Sequence, residues 1–110
     1  MLIEKVLDAL KILEEYKDKT LEELLSDKKL QSIILWNLYV AVQGTIDLAL
    51  KIISKHQLRT PESYVDAFRV LAEDNMIPKD LAQRLMEMAK FRHTLAHVYF
   101  HVDMGKVHKI

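Results

Sequence analysis

The residues best suited to chemistry lie together at positions 91–99, whose sequence is FRHTLAHVY. Arg92 offers a planar fork of hydrogen-bond donors that matches a phosphate group. His97 can accept or donate a proton near neutral pH, because the unperturbed pKa of imidazole is about 6.5. Tyr99 adds a hydroxyl to which a phosphoryl or nucleotidyl group can be attached. The three residue types together indicate a site that handles phosphate groups.

The spacing Arg-x-x-x-x-His-x-Tyr resembles the signature of the HEPN superfamily, and specifically that of HepT-like toxins. The resemblance extends over most of the chain and includes residues 36–47, residues 60–68 and the approach to the motif at residues 85–92. One residue departs from the family pattern. The family usually has asparagine after the motif arginine, whereas this chain has His93.

This resemblance implies a metal-independent endoribonuclease that needs no cofactor and acts on RNA as a homodimer. It assigns Arg92 and His97 as the catalytic residues. It also implies a partner, a minimal nucleotidyltransferase antitoxin, that silences the toxin by transferring AMP to Tyr99. RNA cleavage without a metal requires a proton acceptor, a proton donor and a cation for the phosphorane. Residues five apart on a helix lie about 140° apart, so Arg92 and His97 would border a cleft shared between two subunits.

The same residues also have simpler explanations. Arg92 could pair with Glu87 or Asp103, His97 could fill a subunit interface, and Tyr99 could anchor the last helical turn. His93, His97 and His101 recur every four residues, a spacing that would also suit a transition metal. Because only Asp103 offers a nearby carboxylate, we expect no metal. We assign His93 to the cleft, where it would contact phosphate or orient His97.

A second group of polar residues interrupts the most apolar stretch of the chain. Asn37, Gly44, Asp47 and Lys51 fall along one side of a predicted long helix, with Gln43 one turn before Asp47. Buried polar groups need hydrogen-bond partners, so these residues either line the same cleft or make polar contacts within a dimer interface. We predict that Gln43 and Asp47 support the cleft.

Hydrophobic periodicity and capping residues predict the elements that must position this site. The predicted helices cover residues 2–17, 28–56, 61–73 and a last long helix that opens at Pro78. Thr20 and Glu23 predict a capped helical turn at 21–26, while Thr60 and Pro61 are expected to begin the third of the four helices. Asp103 is expected to cap a short terminal turn. The expected core faces carry Val6, Leu10, Leu13 and Tyr16; Tyr64, Phe68 and Leu71; and Leu81, Leu85, Met88, Leu95 and Val98.

The predicted fold is therefore all-α: an up-and-down four-helix bundle with short extra helical turns. The length of the chain suits a single domain covering residues 1–110. Residues 33–50 are too apolar for one exposed side, which favours a homodimer. Asn37, Gln43, Thr45 and Asp47 break that run, so we expect a buried helix and no membrane association. Glu4, Lys5 and Asp8 interrupt any N-terminal signal.

Composition narrows the possible classes of function. The chain has 110 residues, 50% of them hydrophobic, with two Gly, two Pro and no Cys. The absence of Cys excludes disulfide scaffolds and thiolate metal sites, and it fits a cytoplasmic protein. The few Gly and Pro residues provide too few turns for a many-stranded β fold. The net charge is zero, but residues 84–110 contain five Lys and Arg, two Asp and Glu and four His. A locally basic end suits one bound phosphate better than a long nucleic-acid track.

Two other functions compete with the ribonuclease toxin. One is a non-catalytic helical module that binds a nucleotidyltransferase domain and presents substrate to it. The other is a metal-binding bundle built on the three histidines. An adjacent gene for a small nucleotidyltransferase would favour the ribonuclease or the binding module over the metal protein.

Overall fold

The structure is a computed structural model that describes the backbone of residues 2–108 and the side chains of residues 2–98. Within this range the chain forms helices and no strands. The helices are α1 (Leu2–Glu15), α2 (Leu21–Ser26), α3 (Lys28–Lys55), α4 (Tyr64–Glu73) and α5 (Lys79–His108). The central helix α3 packs against each of the others, and α4 also packs against α5. This confirms the predicted helical bundle, with α2 as its short extra helix.

Local capping explains why α2 and α3 begin where they do. The Thr20 hydroxyl accepts a hydrogen bond from the Glu23 backbone N–H, and the Glu23 carboxylate accepts one from Thr20 in return. Such a reciprocal box satisfies two donors that a helix leaves unpaired at its start. Asp27 ends α2 and caps α3 by accepting from the Leu30 backbone N–H at 3.1 Å. The predicted boundaries of both helices are confirmed to within one residue.

The core lies where α3, α4 and α5 meet. Its largest fully buried side chains are Ile46, Phe68, Val70 and Leu95. By length and composition alone, α3 could also cross a membrane, as the central helix of a soluble protein often can. Its contacts with α1, α2, α4 and α5 and the charged residues Asp47 and Lys51 within it favour a core helix over a membrane span.

Several residues predicted for the core instead lie at the surface. Leu10, Leu81 and Val98 are 48%, 40% and 41% exposed. The helices pack through small residues that let their backbones approach closely. On α1 the buried positions are Val6 and Ala9, and on α5 they include Ala82, Ala89 and Ala96, so the larger neighbours turn outward.

Gly44 shows how close this packing is. A Cβ placed on Gly44 would overlap the Cγ2 atom of Val6, so a larger residue here would require the Val6 side chain or α1 to shift.

The predicted separate turn capped by Asp103 is wrong. The α5 backbone continues through that residue to His108, and the Asp103 side chain lies outside the described side chains.

The start of α4 differs from the prediction because a carboxylate organises the loop before it. Ser63, and not Thr60, caps the helix by accepting from the Asp66 backbone N–H at 3.0 Å. The Asp66 carboxylate reaches back to accept from the Glu62 backbone N–H at 3.0 Å. These hydrogen bonds leave Pro61 outside the helix, which begins at Tyr64.

Asp66 is also the centre of an ion cluster that ties the loop to both ends of α4. Arg59 donates to Asp66 at 2.8 and 3.1 Å and to Glu73 at 2.9 and 3.0 Å. Arg69 adds a bond to Asp66 at 2.8 Å. The Asp66 side chain is only 7% exposed. The hydrogen bonds from Arg59 and from the Glu62 backbone hold the pKa of the Asp66 carboxyl well below its usual range.

Acid is expected to remove the stabilisation that this cluster provides. Because the folded-state pKa of Asp66 is depressed, its contribution is complete above the unfolded value of about 3.9 and is lost progressively as the pH falls from there through the folded-state pKa. Asp66→Asn should lower the free energy of unfolding at neutral pH by about 2 kcal/mol, through lost charge-assisted hydrogen bonds.

The measurement is thermal unfolding of wild type and Asp66→Asn at neutral pH and at about pH 3. The gap between the two stabilities should be smaller at about pH 3 than at neutral pH, because the loss of the Asp66 contribution begins below the unfolded pKa. Asp80→Asn, which changes an exposed carboxylate in the first turn of α5, should match wild type at neutral pH. A stability gap between wild type and Asp66→Asn that stays constant in acid would contradict the assignment.

Candidate functional site

Arg92 on α5 contacts side chains from both α3 and α4. Its Nε donates to the Gln43 Oε1 atom at 2.7 Å, and an Nη2 hydrogen points to the Tyr39 hydroxyl at 3.4 Å. The Gln43 amide in turn donates from Nε2 to Asp47 Oδ1 at 2.9 Å. Because the Gln43 NH2 group is bonded to Asp47, the Gln43 amide oxygen faces Arg92. The guanidinium therefore contacts a hydrogen-bond acceptor.

Two aromatic rings flank the same guanidinium. The Arg92 Cζ atom lies 5.6 Å from the centre of the Tyr39 ring and 5.5 Å from that of Tyr64. Both distances fall within the range of a cation–π interaction. Trp36 continues the aromatic surface, with its ring 6.1 Å from that of Tyr39, and it is 47% exposed.

The hydrogen bonds of Arg92 leave part of its guanidinium available. An arginine has five N–H donors, and the bonds to Gln43 and Tyr39 use two of them. Across residues 2–98, none of the ion pairs formed by the described side chains includes Arg92. The predicted alternative pairing with Glu87 is wrong, since Glu87 bonds Lys90 and Gln83. With respect to the described side chains, the Nη1 and Nη2 edge therefore keeps donors and a positive charge that suit a phosphate. The other predicted partner, Asp103, lies outside the described side chains.

The other predicted residues of the motif lie along α5. His97 and His93 are both exposed, five residues and one residue after Arg92. His97 makes an interaction of its own within the described part of the molecule. Tyr99 and His101 lie on the same helix, but their side chains are outside the described range. The three-histidine metal site consequently stays untested.

Of the polar residues on α3, Gln43 and Asp47 join the Arg92 network, and their place in a cleft stays a prediction. Asn37 is buried and donates to the Ile33 carbonyl oxygen of its own helix at 2.8 Å. Lys51 is exposed. A cavity of about 360 Å³ between α1 and α3 is lined by Tyr39, Gln43 and Asp47 among others, so the residues that hold Arg92 also form one of its walls.

Sequence reasoning missed the tyrosines around Arg92. Tyr39, Gln43 and Asp47 recur every four residues, so their common helix face was available as a signal. Tyr64 gave no such signal. It lies on another helix and was assigned to a core face, whereas its side chain is 39% exposed and contacts Arg92.

A comparison with protein families matches residues 6–110 to the model described as ribonuclease HepT-like. The chain belongs to the HepT-like family. This confirms the resemblance seen in the motif at residues 91–99, and the match also includes α3, which supplies Gln43 and Asp47.

Individual HepT-like relatives agree with this placement. The mRNA nuclease HepT of Shewanella oneidensis is 32% identical over 81 residues, which cover 74% of this chain and 61% of that protein. The structure is similar to a toxin–antitoxin complex crystallised with AMP-PNP, with a TM-score of 0.79 and 29% identity over 87% of this chain and 72% of the other. A tri-AMPylated Shewanella oneidensis HEPN toxin in complex with MNT antitoxin shares the fold, with a TM-score of 0.74 and 24% identity over 96% and 94% of the two chains.

Proposed function

We propose that this chain is a metal-independent RNA endonuclease that acts in the cytoplasm as the toxin of a toxin–antitoxin pair, with residues 1–110 forming one HepT-like domain. The observation that carries the proposal is the Arg92 guanidinium. It is held by Gln43 and Tyr39 while its outer edge keeps donors for a phosphate. Membership of the HepT-like family and similarity to an mRNA nuclease support RNA as the substrate.

The proposed reaction needs no group beyond the protein and the RNA. The 2′-oxygen attacks the adjacent phosphorus, and the bond from phosphorus to the 5′-oxygen breaks. The products are a 2′,3′-cyclic phosphate and a 5′-hydroxyl. Arg92 stabilises the extra negative charge of the phosphorane, and His97 transfers a proton to or from the reacting oxygens.

The supporting residues act through Arg92 and His97. Gln43 fixes the direction of the guanidinium, and Asp47 fixes the orientation of the Gln43 amide. His93, exposed beside Arg92, contacts the substrate phosphate or orients His97. Each subunit supplies one His97, whereas proton removal and proton donation are best served by two groups. A cleft shared by two subunits supplies both.

Exposed apolar residues support such a dimer. Phe91 and Val98, which border the motif, are 50% and 41% exposed and lie seven residues apart on one face of α5. Trp36 and Ile52 of α3 are also exposed. We expect the two copies of α5 to meet across Phe91 and Val98, so that Arg92 and His97 of both subunits line one cleft.

Light scattering at micromolar concentration should report twice the 12.9 kDa mass of the chain. Phe91→Glu should shift the protein toward the monomer, because a charge would be buried in the interface. Leu81→Glu is the matched control, since Leu81 is an exposed residue of α5 that lies nearly three helical turns before Phe91. A wild-type monomer would contradict the shared cleft.

Cleavage of RNA by the purified chain should continue in excess chelator and leave a 2′,3′-cyclic phosphate. An RNA carrying a 2′-O-methyl group at the cleaved nucleotide should resist, because its oxygen cannot lose a proton and attack. Mass spectrometry of the fragments identifies the end group. Loss of activity in chelator with recovery in zinc would instead favour the metal-binding bundle.

The proposed antitoxin is a minimal nucleotidyltransferase that transfers AMP to Tyr99. The toxin–antitoxin complexes among the structural relatives support such a partner. They equally fit the second candidate, a non-catalytic module that binds the nucleotidyltransferase and presents substrate to it. That candidate predicts no RNA cleavage by the isolated chain, so the chelator experiment separates the two functions.

A further inference from the structure

We propose that Tyr64 is a positioning residue that holds Arg92 in the orientation needed to bind the substrate phosphate. The inference rests on the proposed ribonuclease function and assigns a role to α4, which contributes none of the motif residues. Tyr64 acts through Arg92 and needs no contact with RNA.

Two aromatic rings from different helices lie against the guanidinium. The Tyr39 ring centre lies 5.6 Å and the Tyr64 ring centre 5.5 Å from the Arg92 Cζ atom. Tyr39 and Gln43 both belong to α3, so without Tyr64 the described hydrogen-bond and ring partners of Arg92 would all come from one helix. Tyr64 brings the only partner from α4 among the described contacts of Arg92 and limits its movement away from α3.

A ring is well suited to this task because it attracts the cation without using a hydrogen-bond donor. A carboxylate in the same place would neutralise Arg92 and occupy the N–H groups that must reach the phosphate. The two tyrosine rings orient the guanidinium and leave its charge available. This accounts for a Tyr64 side chain that is 39% exposed yet lies against a functional residue instead of the core.

The start of α4 is built to keep Tyr64 in place. Tyr64 is the first residue of the helix and follows the cap Ser63. Two residues later, Asp66 binds the Glu62 backbone, Arg59 and Arg69. The backbone on both sides of Tyr64 is therefore fixed by hydrogen bonds, so the position of its ring follows from the ion cluster.

The first test observes Arg92 directly by nitrogen-15 NMR of the intact protein. The Nε–H signal of Arg92, identified by its loss in Arg92→Lys, should be shifted by the two rings and exchange slowly with water because it is bonded to Gln43. Tyr64→Phe keeps the ring and should preserve the signal. Tyr64→Leu should move it and speed its exchange, while the matched control Tyr16→Leu on the segment after α1 should leave it unchanged.

The second test measures RNA cleavage by the same variants. Tyr64→Leu should lower kcat about tenfold with little change in KM, since the lost cation–π contact orients a group that stabilises the transition state. Tyr64→Phe should restore the wild-type rate. Thermal unfolding of each variant verifies that the fold is retained, and Tyr64→Met provides a second ring-free variant should leucine disturb α4.

The outcomes separate the two proposals. An unchanged Arg92 signal in both ring-free variants would overturn the role of Tyr64, whatever the activity. A shifted signal in a wild-type protein that cleaves no RNA would leave the contact standing and remove the ribonuclease. A fall in kcat shared equally by Tyr64→Phe and Tyr64→Leu would assign the effect to the hydroxyl and would also overturn the proposed action through the ring.

Discussion

Replacing Arg92 or His97 with alanine is expected to reduce RNA cleavage by at least about a hundredfold while leaving the bundle folded. Loss of a preorganised donor to a developing negative charge typically costs 10²–10³ in kcat, and loss of a general acid–base typically costs 10²–10⁴. The fold should survive because neither side chain belongs to the buried core that contains Ile46, Phe68 and Leu95. The measurement is the single-turnover cleavage rate of a defined RNA.

Two control variants test whether these losses are specific. Arg84→Ala removes an exposed arginine two helical turns before Arg92, and His56→Ala removes an exposed histidine at the end of α3. Both should retain close to wild-type activity. Gln43→Leu should lower activity less than Arg92→Ala, because the guanidinium would remain but lose its best acceptor. Equal losses in Arg84→Ala and Arg92→Ala would point to general electrostatic binding of RNA instead of a defined site.

The second large effect is expected at Tyr99, which we propose as the AMP acceptor. The α5 backbone is continuous through this residue, and positions seven apart lie about 20° apart around a helix, so Tyr99 shares a helix face with Arg92. Each added AMP brings a phosphodiester anion that would compete with RNA for the guanidinium. Tyr99→Phe should therefore retain ribonuclease activity and escape neutralisation by the nucleotidyltransferase.

Intact-mass measurement after co-expression with the nucleotidyltransferase and ATP tests this directly. Wild type should gain mass in AMP-sized increments, and Tyr99→Phe should gain none. Increments that persist in Tyr99→Phe would place the acceptor elsewhere. Tyr16, Tyr39 and Tyr64 would then be examined one at a time.

The starts of α2 and α3 could be predicted because local signals determine them. The capping box at Thr20 and Glu23 and the N-cap at Asp27 fixed the start of α2 and α3. The start of α4 was predicted wrongly. Thr60-Pro61 is a good local signal for a helix start, but Asp66 binds the loop backbone and the helix begins after Ser63 instead. That carboxylate is held by Arg59 from the loop and by Arg69 from the next turn. Sequence spacing alone does not show which of several candidate residues caps a helix when a nearby carboxylate binds the backbone of the preceding loop.

The polar contacts of Arg92 could be predicted in part. Gln43 and Asp47 were assigned to a polar face of α3, and the structure joins them to Arg92, whereas Tyr39, four residues before Gln43, was missed. The contact of Arg92 with Tyr64 could not be foreseen, because it depends on how α4 packs against α5. Exposure of Leu81 and Val98 was missed for a similar reason: the alanines of α5 face the bundle and turn these larger side chains outward.

The most direct test of the central claim is bacterial growth after induction of wild type or His97→Ala without the nucleotidyltransferase. Both proteins should accumulate to equal levels on immunoblots, so that a difference in growth reports activity and not abundance. We predict that wild type arrests growth and degrades cellular RNA, whereas His97→Ala does neither. Equal arrest by the two proteins, or no arrest by a soluble wild-type protein, would contradict the assignment of this chain as a His97-dependent ribonuclease toxin.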